Sequence, residues 1–194
     1  MASKFECEVR FLIKDIAAHR KRILGLGGKL KYKYTFVDFY YRPEKQVWGP
    51  VRRILRIRHW SKPKKPTTIY FVKNEVTQKG KIKFKRSLYP EGKLSLFSGS
   101  LKRCREILKD LGFIEWLTLK KQRAEFWDVP KYKFETVTEY IPNLGWSGEL
   151  EVEGSDILKA REQLEKQLKL LGIDLDQADY RPISVIYAEK LNKL

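Results

Sequence analysis

Four stretches of this chain alternate apolar with charged side chains, and each repeats one sign of charge at every second position. Glu6, Glu8 and Arg10 interleave with Phe5, Cys7, Val9, Phe11 and Ile13. Arg52, Arg56 and Arg58 oppose Val51, Leu55 and Ile57, and Lys81, Lys83 and Lys85 oppose Ile82, Phe84 and Leu88. Glu149, Glu151 and Glu153 oppose Leu150 and Val152. Like charges two residues apart on a strand repel unless a counter-ion lies between them. Rows of carboxylates suit hard divalent cations such as Mg²⁺ or Mn²⁺. Rows of arginine and lysine suit a polyanion, arginine as a bidentate fork and lysine as a point charge. Charged alternation is also what a half-wet antiparallel sheet shows. The helices decide between the two, because their apolar faces need a sheet face to cover. If they coat the apolar outside of a curled sheet, the charged faces turn inward.

Period two predicts strands over 4–13, 30–41, 51–60, 68–76, 81–89, 114–127, 132–141 and 148–153. Helical spacing fits 14–26, closed by Gly27-Gly28, and 100–111, stopped by Gly112. It also fits 156–171 and, at the end, 182–193. Ser61-Lys62-Pro63-Lys64-Lys65-Pro66 reads as a hairpin turn, too short to separate a pair of domains, so one domain over 1–194 is expected. The fold class predicted is α+β: an eight-stranded antiparallel barrel with helices packed outside. Gly25-Leu26-Gly27-Gly28-Lys29 lacks phosphate-loop spacing and follows a helix rather than opening one. His19 and His59 are isolated and read as structural. Trp60 shares the strand face of Arg58; lining a base or organic group is one reading of it, and packing is the simpler one.

The chain has 194 residues, 42% of them hydrophobic, which is ample for a core. Cys7 and Cys104 form no metal or disulfide pattern, the first residues show no apolar leader, and no run is long enough to span a membrane; a cytoplasmic protein is expected. Lys and Arg number 41 against 24 Asp and Glu, a net charge of +17, so the partner should be anionic. Outer clusters such as Lys29, Lys31 and Lys33, or Lys62, Lys64 and Lys65, carry much of that excess.

Glu6-Cys7-Glu8-Val9-Arg10 is similar to the Glu-x-Glu-x-Lys/Arg signature that opens the CYTH domain, the triphosphate tunnel metalloenzyme superfamily. Further elements resemble that family in order. Asp38-Phe39-Tyr40-Tyr41 resembles its D-x-Y-F element, and Ile54-Leu55-Arg56-Ile57-Arg58 its A-L-R-I-R strand. Phe71-Val72-Lys73 sits where the family has an apolar strand ending in lysine. Leu119-Lys120-Lys121-Gln122-Arg123-Ala124-Glu125-Phe126 looks like V-x-K-x-R-x-x-Y, and Leu144 to Glu151 has the spacing of L-G-x-x-x-E-x-E.

The resemblance implies a tunnel in which Glu6, Glu8, Glu149 and Glu151 hold Mg²⁺ or Mn²⁺. It makes Arg10, Arg56, Arg58, Lys73, Lys121 and Arg123 phosphate ligands. Lys85 falls near a K-x-R-x-E position in which Ser87 replaces the acid and Lys83 competes. Glu139 occupies a place often held by aspartate. The implied activity is metal-dependent hydrolysis of inorganic, nucleoside or other organic triphosphates; the alternative is a class IV adenylyl cyclase. A non-catalytic polyphosphate or nucleic-acid binder is a third reading, disfavoured by four carboxylates that such a binder does not need. The partner expected is a small-molecule triphosphate, with no membrane; a homodimer is left open.

Overall fold

The computed structural model describes residues 5–46, 48–49, 51–79 and 82–193. Lys81 lies outside these residues, as do the side chains of Phe5, Ile82 and Lys83. Nine strands and four α-helices are seen among the described residues: β1 (Phe5–Leu12), α1 (Ile16–Gly25), β2 (Lys29–Pro43), β3 (Arg53–Lys62), β4 (Thr67–Lys79), β5 (Ile82–Ser87), β6 (Leu94–Gly99), α2 (Leu101–Asp110), β7 (Phe113–Val129), β8 (Phe134–Ile141), β9 (Gly145–Gly154), α3 (Ile157–Leu171) and α4 (Ile183–Lys190). Among them, no helix is long and apolar enough to cross a membrane.

The strands are hydrogen-bonded in the order β3-β2-β7-β8-β9-β1-β5-β4, and β3 also pairs with β4, so eight antiparallel strands close into a ring. The ring is the expected barrel. The ninth strand, β6, was not read from the sequence. It pairs with Thr67–Phe71 of β4, whereas Asn74–Lys79 on the same strand pair with β5. Short and mostly exposed, β6 carries no core alternation by which to find it.

Local chemistry starts and stops the helices where expected. Asp15, Ser100 and Asp156 cap α1, α2 and α3, their side chains accepting from backbone N–H groups one turn on. Gly27 at φ +82° and Gly112 at φ +77° adopt the left-handed backbone that ends the first two.

The apolar residues of the alternating strands face out, against helices. Cys7, Val9, Phe11, Leu150 and Val152 pack with Ile23 of α1 and with Leu164 and Leu168 of α3. Leu55, Ile57 and Ile69 pack with Cys104 and Leu108 of α2. The fourth helix behaves differently. Ile183 and Tyr187 of α4 pack on Tyr40, Leu117 and Leu119, which share the ring's inner face with Asp38 and Lys121. Thus α1, α2 and α3 coat the outside while α4 closes one section of the interior.

His19 lies on α1 against the Phe11 ring, 7% exposed. Burial, reinforced by Arg22, pushes its imidazole down to about 4 from the ordinary 6.5. The unfolded chain then takes up a proton near pH 6.5 that the folded chain refuses until about pH 4. Stability is therefore full above pH 6.5 and falls as pH drops toward 4, by at most about 3 kcal/mol. His19→Leu should flatten the slope of urea stability against pH in that window; an unaltered slope would assign the acid sensitivity elsewhere.

Candidate functional site

The inward faces of the ring enclose a cavity of about 510 Å³. Among the described residues, six acidic and six basic side chains line it: Glu6, Glu8, Asp38, Glu91, Glu149 and Glu151 against Arg10, Arg56, Arg58, Lys85, Lys93 and Lys121. These twelve charges cancel formally, so they carry none of the chain's net charge of +17.

Strand pairing builds the acidic side. β1 and β9 run antiparallel with Glu6 opposite Glu153, Glu8 opposite Glu151, and Arg10 opposite Glu149. Like charges directly across a sheet are destabilising, and the effect is visible in the carboxyls. Burial and neighbouring carboxylates push Glu6 up, against the pull of Lys85. Glu151 is pushed up to about 8, first by burial and then by Glu6, Glu149, Glu8 and Glu153. Its side chain is exposed to solvent in the cavity, so this repulsion is partly screened.

Glu8 shows the opposite balance. Burial opposes its ionisation, but Lys85 Nζ at 2.6 Å and Arg10 at 2.7 Å hold its carboxyl well below the usual range. Arg10 also pairs with Glu149 and, through Nη1 at 2.8 Å, with Glu139. Glu139 is 0% exposed and binds Lys121 as well, so one buried carboxylate aims two cations. Across the cavity Asp38, 1% exposed, accepts two bonds of 2.7 Å from the Arg58 fork and lies 3.4 Å from Arg56. Burial disfavours the Asp38 carboxylate, yet the two arginines hold it below its ordinary range.

Nine of the eleven residues singled out in the sequence line this one cavity: Glu6, Glu8, Glu149, Glu151, Arg10, Arg56, Arg58, Lys85 and Lys121. The other two do not. Arg123 is exposed because β7 carries a bulge: Tyr34 pairs with Ala124 but Phe36 pairs with Lys121, three residues away rather than two. The inward phase therefore passes from Lys121 to Ala124 and Phe126. Lys73 falls on the opposite face of β4 from Val72 and Asn74, which line the cavity. We expect Arg123→Ala and Lys73→Ala to change kcat/KM for any substrate of this site by less than about twofold, the range of ordinary surface substitutions. A tenfold loss in either would restore that residue to the site.

The structure adds Asp38, Asn74 and Lys93 as cavity residues without a sequence-assigned role. Asp38 was visible in a motif. Lys93 was not, because it comes from the turn between β5 and β6, where no periodicity exists. That turn is tied by Ser87, which donates to the Gly92 carbonyl at 2.6 Å and accepts from the Tyr89 N–H at 3.1 Å. Burial, then Arg56 and Arg58, push the Lys93 ammonium below its ordinary range.

The acidic row is where the cavity carries the donors that divalent cations prefer. Its donors are hard carboxylate oxygens, and the charges acting most strongly on Glu151 are all negative, so the set fits such ions in kind and in charge. Among the described residues, no three acidic, histidine or cysteine side chains converge on one point. Glu8 and Glu149 are instead drawn to Lys85 and Arg10.

Comparison with solved structures gives a clear likeness. The chain superposes on a conserved hypothetical protein from Pyrococcus furiosus with TM-score 0.71 at 20% identity, over 93% of this chain and 98% of that one. It superposes on a candidate adenylate cyclase from Vibrio parahaemolyticus with TM-score 0.71 at 14% identity, over 98% and 99%. A protein from Hippeastrum, a candidate adenylyl cyclase described as having a dominant triphosphatase activity, matches with TM-score 0.61 at 13% identity, over 98% and 97%. These proteins share its fold. At such identities the likeness extends to architecture alone. No family model matches the sequence. No curated protein sequence matches it either.

Proposed function

We propose that this protein is a triphosphate tunnel enzyme of the CYTH type, which binds a triphosphate together with divalent cations and hydrolyses it. The observation that carries this reading is the facing of two rows in one cavity: Glu6, Glu8, Glu149 and Glu151 from β1 and β9, against Arg56 and Arg58 from β3 with Lys121 from β7. A triphosphate needs several fixed cations at once, and phosphoryl transfer asks the protein mainly for position and charge. Arg56 and Arg58, held by Asp38, present guanidinium groups to phosphate oxygens. Arg10 and Lys121, aimed by Glu139, and the turn-borne Lys93 add further positive charge. The four glutamates would hold Mg²⁺ or Mn²⁺, which supplies Lewis-acid neutralisation of phosphate charge when bound. Water attacks the terminal phosphorus, its bond to the bridging oxygen breaks, and orthophosphate and diphosphate leave. The triphosphatase activity named for the Hippeastrum protein accords with hydrolysis, while the cyclase named for the Vibrio protein accords with the second reading.

The second reading, a class IV adenylyl cyclase, is favoured by aromatic side chains on the cavity wall, which a purine would need. One assay series separates the readings. Inorganic triphosphate, ATP and thiamine triphosphate are incubated with Mg²⁺ or Mn²⁺, and products are followed by phosphorus NMR. Orthophosphate supports the hydrolase, while cyclic AMP with diphosphate supports the cyclase. No turnover, with salt-sensitive binding of nucleic acid, would replace both with a binding module.

A further inference from the structure

One strand of this chain ends the sheet instead of closing the ring. Among the described residues, β6 is hydrogen-bonded to β4 alone and stands last in the strand order. In an antiparallel pair, alternate residues turn their N–H and C=O groups away from the partner, so half of those groups on β6 point off the sheet. An open edge of this kind is a template for another strand, and proteins blunt it with lysine, proline, a bulge or a cover.

Another open stretch is blunted in that way. Residues 29–34 of β2 pair with β7, but pairing with β3 begins only at Thr35. That stretch carries Lys29, Lys31 and Lys33, all exposed. By contrast β6 reads Leu94-Ser95-Leu96-Phe97-Ser98-Gly99, with neither a charge nor a proline. Its irregularity is a bulge at Leu96, between the Ile69–Phe97 and Tyr70–Ser95 pairs. This bulge sets an apolar side chain out of register: Leu96 is 54% exposed, next to Phe97 at 36%. Ser95 and Ser98 are exposed as well.

Charge and symmetry both favour a second copy of this chain as the occupant. Chains of net charge +17 repel one another, so they meet most readily through a surface that adds no charge of its own. The segment Ser95-Leu96-Phe97-Ser98 also reads nearly the same from either end. Antiparallel pairing about a two-fold axis then sets serine opposite serine, and Leu96 opposite the partner's Phe97. A strand from a different protein would satisfy the edge but has no need of this symmetry.

We propose that β6 is a self-association edge, through which two copies pair antiparallel and join their sheets across a two-fold axis. The strand leaves the turn that carries Glu91 and Lys93 into the cavity, so pairing fastens that rim in each copy. Such pairing is independent of what the cavity binds. A six-residue edge makes less than a standard interface, so the dimer is weak, with a dissociation constant on the order of 10 µM.

Sedimentation velocity of the full chain from about 1 to about 100 µM, at about 0.05 and about 0.5 M NaCl, tests the pairing. We expect the mass to move from 23.0 kDa toward twice that value as concentration rises. Salt should tighten the dimer, because it screens the repulsion between like-charged copies. A polyanion bridging two copies would instead be released by salt, and that result would overturn the edge pairing. Leu96→Lys, at an exposed position, should weaken association by about tenfold or more, because it puts a charge on the edge. Leu111→Lys adds the same charge at an exposed leucine beyond the far end of α2, and should leave association within about twofold of wild type. Hydrogen exchange locates the contact: amides of residues 94–99 should slow with rising concentration in wild type but not in Leu96→Lys. Slowing elsewhere, with 94–99 unchanged, would move the interface off β6 and overturn the proposal. A chain still monomeric at about 100 µM in high salt, or a Leu96→Lys protein that dimerises as wild type does, would also overturn it and leave the edge to a strand of a different protein.

Discussion

Glu151→Gln should stabilise the metal-free protein and nearly abolish its turnover, two effects of opposite sign from one atom exchange. The carboxyl sits among Glu6, Glu149, Glu8 and Glu153, and with burial they push it up to about 8. A neutral isostere removes that repulsion. Because solvent in the cavity screens some of it, the expected gain is about 1 kcal/mol at neutral pH. The same carboxylate is proposed to hold a divalent cation, and loss of one well-placed electrostatic group in a phosphoryl-transfer site costs on the order of a hundredfold or more in kcat. Urea titration without metal and steady-state kinetics with Mg²⁺ read the two effects separately. Wild-type kinetics in this variant would remove β9 from the metal assignment. A stabilised protein with lost activity would mark the acidic row as a place where stability is given up for binding.

Glu139→Ala should be the most damaging single change to the fold. Glu139 is wholly buried and binds both Arg10 and Lys121. Truncation leaves two enclosed cations facing each other without it. Removing one partner of a buried charge network costs about 3–5 kcal/mol, most of it from the charges left behind. Glu139→Gln keeps the shape and one acceptor, so it should lie between wild type and alanine. Urea denaturation measures all three. A loss below about 1 kcal/mol for the alanine variant would show that Glu8 and Glu149 alone can satisfy Arg10.

The sequence revealed those regions of this molecule that obey an unbroken period. Glu6, Glu8 and Arg10, like Arg56 and Arg58, alternate without interruption, and all line the cavity. Cys7 was expected to face outward into packing, and it lies buried there with Val9 and Phe11. Arg123 was illegible for a specific reason. The β7 bulge adds one residue between Lys121 and Ala124, and no glycine marks it, so counting by two put an exposed arginine inside. Lys73 was placed by motif rather than by face; the period itself puts Asn74 in the cavity. Lys93 enters from a turn, where position depends on the Ser87 bonds and not on any repeat. Tyr34 and Phe36 alternate as any buried strand would, and the lack of a helix over them appears only in the fold.

The salt links across the cavity have one further effect. Arg58 is already claimed by Asp38, and Lys85 and Arg10 by Glu8, so under the proposed function a phosphate entering the cavity would compete with a carboxylate for its cation. Any carboxylate so displaced is left needing positive charge, which a divalent ion provides. Binding would then be a change of partners, in which the phosphate takes the cation that the metal frees and the metal takes the carboxylate that the phosphate frees. Titrated alone, either should bind weakly; titrated together, each should tighten the other by the same factor.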